Sequence, residues 1–596
     1  MNTTAIELGL KLFSAVPKNT SQATSFETSL KYGVIVDRHA SYAQAEILNY
    51  FVKNKLSAEQ LNATFHKSWQ VIENSSRQEL FVHQILHYLT TYGTDFTSEF
   101  VYFPAEHLSL PKATKIPLRV VRGIESAELI NMALDMLSSG IALDEITLDD
   151  LLDLLDALDY KFTSVSHIKN KEASVKVISR TGIYPDSPVE FLRFLVYLST
   201  GTTLLIKNDE TIKAIKESEL PIAEHVAAFG LKKCAEIFNR FKPLWLSFKT
   251  NRTNRAAINE INRLAKRHHK PMPVDVLNSV TSISYSTTEV LEALQQVNNF
   301  RKIRLLNALN IRLNAADTFL YRIRNGKSFS KEKHTNKSAL YYRTMFNLVY
   351  ENLLDSLDLA GKKVAYPENI DYALPVSEKM FVGNFPVGTK ITSENLASGI
   401  YWENKWGAND LDLSALQLSG KVGWNSVFKS KGLLYSGDIT DAPNGATELL
   451  YTKKNLPNPA LSIANIYSGT LGCKFKIIIG SAPRVRENYM FDPNELILEA
   501  ESTMKGSQQI LGLFLPEEGN TVSFVIINTV FGSMSVSSNS IHNQNARKAL
   551  YFQYASPISM RKLLTDAGAI LVSDEKSEIN LMPHHLSKST IVTIFS

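Results

Sequence analysis

Asp410 and Asp412 stand two residues apart in a strand-like stretch, and Asp438 and Asp441 follow in a turn-rich connection. Carboxylates on short loops are the hard oxygen donors that a Ca²⁺ ion takes. On an extended segment, side chains two apart share a face, so Asp410 and Asp412 point one way while Leu411 and Leu413 point the other. Gly437 permits unusual dihedrals beside Asp438, and Pro443-Asn444-Gly445 reverses the chain before Glu448. Asp410, Asp412, Asp438, Asp441, Asn444 and Glu448 are therefore the candidate metal ligands, with Ca²⁺ the candidate ion. The competing reading is plain turn chemistry: Asp, Asn and Gly favour reversals anyway, and Asp438 alone makes an Asx turn.

Other chemistry finds no support in the sequence. Adjacent histidines on a helix diverge by about 100°, so His268-His269 and His584-His585 are poor joint ligands. Gly326-Lys327-Ser328 lacks the glycine that a phosphate loop requires where Tyr321 stands. His-Glu-x-x-His, Gly-x-Ser-x-Gly and Cys-x-x-Cys are all missing, and no residue is assigned a catalytic role. The two cysteines, Cys234 and Cys473, are far apart, which argues against a disulfide framework and for a reducing compartment. The apolar run Val189 to Ile206 is broken by Glu190 and Arg193, and the first seventeen residues carry Glu7 inside their apolar stretch. A soluble cytoplasmic protein with no membrane partner is the expectation.

Charge is unevenly placed. The net charge of +5 over 596 residues points to no partner by itself. Yet Gly123 to Tyr160 is acidic, while Arg240 to Arg343 holds twenty Lys and Arg against six Asp and Glu. Arg252, Arg255, Arg263, Lys266, Arg267, Lys270, Arg301 and Arg304 are the candidate nucleic-acid contacts, with Trp245, Phe248 and Phe300 near enough in sequence to stack on unpaired bases. The alternative is a solvated basic face that pairs with the acidic segment, within the chain or in another copy of a homo-oligomer.

The elements that must position these groups change character along the chain. From Phe26 to Leu359 apolar residues recur at helical spacing. Leu148, Leu151, Leu152, Leu155 and Leu158 form one stripe, with Asp149, Asp150, Asp153 and Asp156 largely off it. Thr147 with Asp150, Ser187-Pro188-Val189-Glu190 and Ser286 with Glu289 read as helix starts. No fixed repeat period is found, so an irregular helical domain is expected rather than a solenoid. After Leu359, short alternating runs separated by Gly, Asn and Ser suggest a β-sandwich. The resulting division is a loosely held 1–25, an all-helical 26–359, a linker 360–397, a sandwich 398–544, and C-terminal helices with a strand over 545–596. The fold class is thus α+β and multidomain.

Tyr401-Trp402-Glu403, Asp410-Leu411-Asp412-Leu413-Ser414 and Ser436-Gly437-Asp438 together resemble the tellurium-resistance (TerD-like) stress proteins over roughly 398–528. That resemblance implies a β-sandwich whose acidic loops bind Ca²⁺, with Asp410, Asp412 and Asp438 at the matching positions. The family's dense acidic loop is represented here only by Asn444-Gly445-Ala446-Thr447-Glu448, so fewer negative ligands are available. The expected role is a non-enzymatic stress-response or defence protein that binds or assembles with a protein partner. The alternatives are RNA binding through the basic region and a subunit of a homo-oligomer.

Overall fold

The computed structural model describes residues 2–19, 33–54, 119–314, 318–322, 327–332, 337–417, 420–424, 426–443, 445–452, 456–481, 496–531, 550–574 and 577–596. Two compact units result: Ile130–Ser279 forms one, and Met1–Leu129 with Val280–Ser596 forms the other. The fold is mixed α+β, helical in its N-terminal half and strand-rich in its C-terminal half.

Unit 130–279 is helical. Helix Glu145–Ala157 buries Leu148, Leu151, Leu152 and Leu155, as its stripe predicts. It begins earlier than expected, because Asp144 caps it by accepting the Ile146 N–H, leaving Thr147 inside the helix. Its aspartates face the next helix, Lys171–Thr181: Lys176 reaches Asp149 at 2.6 Å and Arg180 pairs with Asp153 and Asp156. Three aspartates of the acidic segment are thus answered by the helix that follows it in sequence. Helix Pro188–Thr200 starts at the expected proline, but Glu190 turns to Arg193 instead of back to Ser187. Phe191 of this helix stacks on Phe229 with centroids 4.0 Å apart, in a core that also holds Leu195 and Trp245.

The other unit opens with order where looseness was expected. Helix Thr3–Phe13 is capped by Asn2 and buries Ala5, Ile6, Leu10 and Phe13. Strands β1 (Ala15–Pro17), β2 (Val34–Val36) and β3 (Arg119–Ile124) form a parallel sheet in the order β1-β3-β2. Val16, Val34, Val36 and Val121 pack with Ile6, Leu10, Ile47 and Phe51 in one apolar cluster. Asp37, at the end of β2, accepts the Gly123, His39 and Ala40 N–H groups and so locks β2 to β3. The reading of 26–359 as all-helical fails here because parallel strands this short and continuously apolar carry no alternation. It fails again at the hairpin Thr318–Arg322 with Lys327–Glu332. Farther on, Ser286 and Glu289 make the expected capping box ahead of Val290 and Leu294.

The presumed linker 360–397 is structured. Lys363–Ala365 pairs in parallel with Ile570–Val572 and Ile579–Asn580, and the Tyr372 hydroxyl donates to the Leu581 carbonyl at 2.6 Å. Partners some two hundred residues away leave no local trace, so only turn residues stand out in that segment of the sequence. At the C-terminus, helix Met560–Asp566 and strand Ile570–Val572 fall where expected, and helix Lys588–Ile594 follows.

Two antiparallel sheets carry the candidate ligands. The strands are β4 (Lys390–Ser393), β5 (Leu396–Trp402), β6 (Ala408–Gln417), β7 (Gly420–Gly423), β8 (Leu433–Tyr435), β9 (Ala446–Thr452), β10 (Ala460–Gly469), β11 (Lys474–Ser481), β12 (Leu496–Thr503), β13 (Gln508–Pro516) and β14 (Val522–Phe531). One sheet runs β7-β6-β10-β13-β14-β4 and continues to Ile370–Asp371; the other runs β8-β9-β5-β11-β12. Every residue of β5 and β9 is buried, so the middle of this second sheet is covered on both faces. Its cluster of Ala397, Tyr401, Leu434, Leu449, Tyr451 and Ile478 is capped by Trp406 and Leu496.

The first helix is part of the core, so truncating one of its large buried side chains is costly. Leu10→Ala is expected to lower unfolding stability by about 3 kcal/mol, read as a shifted urea midpoint at an unchanged slope. A midpoint equal to wild type would restore the loosely held N-terminus.

Candidate metal centre

The candidate site lies at one end of the two sheets. β6 begins opposite the end of β10, and β9 begins opposite Trp402, the last residue of β5. The connections 403–407 and 436–445 therefore emerge together. Irregular register on either side of Asp410 marks a bulge against β10, the kind of local twist that re-aims a side chain at a rim. Beyond it the strand alternates: Leu411, Leu413 and Ala415 are fully buried apolar residues, while Asp410, Asp412 and Ser414 share the opposite face.

Glu448 holds the rim together. One of its carboxylate oxygens accepts the Leu413 N–H at 2.7 Å, and the other accepts the Ile439 N–H at 2.9 Å. Strand β7 ends at Gly423 opposite Ser414, so Leu413 lies just past the last residue that β7 pairs. A side chain from the other sheet supplies the acceptor there. The same carboxyl ties down the residue after Asp438, which fixes that aspartate beside the strand.

A second clamp closes the loop. The Asn404 side chain accepts the Ala442 N–H and donates to Asp441 at 2.7 Å, while its backbone N–H donates to the Ala442 carbonyl. Gly445 then passes over Tyr401 with φ +92°, and a Cβ there would sit 2.2 Å from the Tyr401 hydroxyl. Only glycine fits both the dihedral and the space.

The outcome is a group of three. Asp410, Asp412 and Asp438 each present a carboxylate oxygen, and these oxygens lie within 4.8 Å of one another. Asp410 is 4% and Asp412 2% exposed, and Asp438 is open to solvent. Among the described residues no hydrogen-bond partner reaches Asp410 Oδ1 or Asp412 Oδ2, although both atoms are fully buried. Buried carboxylate oxygens without donors are costly unless something cationic satisfies them. Ca²⁺ fits this donor set, with backbone carbonyls or water needed to complete six to eight positions.

Electrostatics agree with that geometry. Burial, and then the neighbouring Asp410 and Asp438, push the Asp412 carboxyl up to about 7 against a partial offset from Lys421. Asp410 is raised by burial and by Asp438. Burial lifts Glu448 to about 8, even though the Tyr435 hydroxyl and its two backbone donors favour the ionised form. Lys421 is itself held below its usual range by burial, with Asp412 opposing.

Of the six sequence-derived ligands, the fold gathers Asp410, Asp412 and Asp438. Asp441 is turned to Asn404, Glu448 is committed to backbone N–H groups, and Asn444 lies outside the described residues. Lys421 and Tyr435, which shape the local field, were not legible because nothing in their own segments marks them.

The basic candidates divide between the two units. Arg252, Arg255, Arg263, Lys266, Arg267 and Lys270 belong to 130–279, and Arg301 and Arg304 to the other. Helix Arg255–His268 buries Ile258, Ile261 and Ala265. Arg263 pairs with Glu260, and Lys270 reaches Glu236 at 2.9 Å. Arg252, Arg255, Lys266 and Arg267 are exposed, as is Arg304 on helix Asn299–Asn314.

No family model matches the sequence, and no curated protein matches it. Among solved structures the chain is similar to one described as "Crystal structure of unknown function protein SAV2460", at 13% identity, covering 27% of this chain and 96% of that one, with a TM-score of 0.18.

Two outcomes follow from the carboxyl groups. Glu448→Ala strands the buried Leu413 N–H and the part-buried Ile439 N–H and is expected to cost about 3 kcal/mol, whereas Glu448→Gln keeps one acceptor and costs less; urea unfolding ranks the pair. Equal stabilities would remove the bridging role. Asp412 and Glu448 are both raised, so metal-free folded protein retains protons that the unfolded chain has released above about pH 4. Stability of metal-free protein should therefore decline as pH climbs from about 4 through the values near 7 and 8. Urea midpoints at pH 5.5 and 8.5 check this, and Asp412→Asn should narrow the gap between them. A midpoint that rises with pH would contradict the upward shifts.

Proposed function

We propose that the strand-rich region is a TerD-like β-sandwich that takes up Ca²⁺ through Asp410, Asp412 and Asp438. In this proposal the chain acts as a binding or assembly component in stress response or defence. One observation carries the metal reading: three carboxylate oxygens within 4.8 Å of one another, with Asp410 and Asp412 deeply buried and each keeping one oxygen that no described donor reaches. Three like charges gathered this closely repel one another, and a divalent cation is the simplest group that relieves the repulsion. Two cross-linked sheets with their connections at one end suit a sandwich with a loop rim. The stress-response setting is what the family resemblance implies; the cytoplasmic location rests on cysteine usage, with which two buried cysteines left as free thiols accord.

The ion would be held by Asp410 and Asp412 from the strand and by Asp438 from the loop. It would neutralise the buried carboxylates and hold the loop to β6. Lys421, beside Asp412, lowers the net negative charge that the ion meets and so limits affinity.

Calorimetric titration of chelator-treated full-length protein is the test. Uptake of Ca²⁺ is expected, and its loss is expected in the double variant Asp410→Ala, Asp412→Ala. Wild-type protein that takes up no Ca²⁺ would end the proposal.

A further inference from the structure

Around the carboxylate trio the rim is unusually apolar. Val427, Phe428, Ile439, Tyr467 and Leu471 are all exposed, with Tyr467 70% and Leu471 69% accessible. They belong to three separate connections: β7 to β8, β8 to β9, and the end of β10 with its turn into β11. Register places these connections near the trio. Tyr467 immediately precedes Ser468, the residue opposite Asp410. The Thr470 N–H in the turn that carries Leu471 donates to the Gly407 carbonyl, just before β6. Ile439 follows Asp438 directly and is fixed by Glu448. Phe428 leans on Tyr435 with centroids 5.2 Å apart, and Tyr435 borders Glu448. Trp424 joins this fringe, 6.0 Å from the Tyr467 ring, and Lys421 Nζ lies 5.4 Å from the Trp424 ring. Lys429 and Lys431 are exposed on the same connection as Val427 and Phe428.

Isolated exposed apolar residues need no explanation, but five on three adjoining loops, interleaved with lysines, mark a contact surface. They are spread over three separate connections, an arrangement that suits shallow insertion into a lipid interface better than the grip on one compact ligand. Lysines beside such tips are drawn to anionic headgroups. The trio supplies the condition. Without metal its carboxylates repel an anionic surface, whereas a bound divalent ion adds two positive charges there and has coordination positions open to phosphate or carboxylate oxygens.

We propose that this rim docks on an anionic phospholipid surface in a Ca²⁺-dependent way, the ion bridging Asp410, Asp412 and Asp438 to headgroup oxygens while the apolar tips enter the interface. The inference rests on the metal reading above and extends it to a partner. This departs from the expectation of no membrane partner; among the described residues no helix is long and apolar enough to cross a membrane. Seating a loop rim needs none.

Sedimentation of full-length protein with vesicles of 70:30 phosphatidylcholine and phosphatidylserine, with Ca²⁺ or with chelator, tests this. Vesicle binding is expected only with Ca²⁺ and only when phosphatidylserine is present. Asp410→Asn with Asp412→Asn should abolish it. Val427→Ser with Leu471→Ser, both at solvent-exposed positions, should weaken it at least tenfold while Ca²⁺ uptake measured calorimetrically without vesicles stays at the wild-type level. Ca²⁺ uptake without sedimentation would overturn the docking inference and leave the metal reading standing. Absence of Ca²⁺ uptake would overturn both. Sedimentation in chelator, or equal binding to pure phosphatidylcholine, would overturn the bridging role of the ion. A heat of soluble glycerophosphoserine binding with no sedimentation would identify a small anionic ligand and overturn surface docking.

Discussion

A buried carboxyl group must find donors, and Glu448 finds two that belong to different parts of the rim: Leu413 on a strand of one sheet and Ile439 on the loop after β8. Because both are backbone groups, their positions are set by the course of the chain and not by side-chain rotamers. The carboxylate trio depends on this arrangement. Asp412 is the residue before Leu413 and Asp438 the residue before Ile439, so satisfying one glutamate also sets the spacing of the two aspartates beside its donors. Buried ionisable groups are expensive, and this one is spent on shaping its neighbours.

The same logic explains what could be read in advance. Asp410 and Asp412 were legible as a pair because strand alternation puts both on one face, and Leu411 and Leu413 advertise the strand. Asp438 was legible through its turn. Glu448 was found for its charge, but its use as a bridge depends on where β7 stops, which is a matter of pairing and not of local sequence. Asp441 has the same chemistry as Asp438 three residues earlier and still turns to Asn404, because the loop clamp takes it. Lys421 and the exposed rim residues gave no signal, since their significance lies entirely in what stands next to them.

For the fold, periodicity located helices Glu145–Ala157 and Pro188–Thr200 and the change to strands after Leu359. It failed on the short parallel strands near the N-terminus and on the segment 360–397, where each strand is held by distant partners. Capping signals succeeded at Ser286 and were overridden at Thr147 and Ser187, where Asp144 and Arg193 offered better-placed groups. Local propensity gives way wherever a tertiary partner of the right chemistry is within reach.

The discontinuity of the larger unit has a consequence for synthesis. Residues 130–279 are contiguous, so they can close as soon as they are made, while the small parallel sheet belongs to a unit that resumes at Val280. Arg119, the first residue of β3, donates to the carbonyl of His584, more than four hundred residues downstream. That contact can form only after nearly the whole chain has emerged. Until then Arg119 at the start of β3 lacks its C-terminal acceptor, and the nascent polypeptide carries that incomplete end of the small sheet through most of translation, the interval in which chaperone protection matters most.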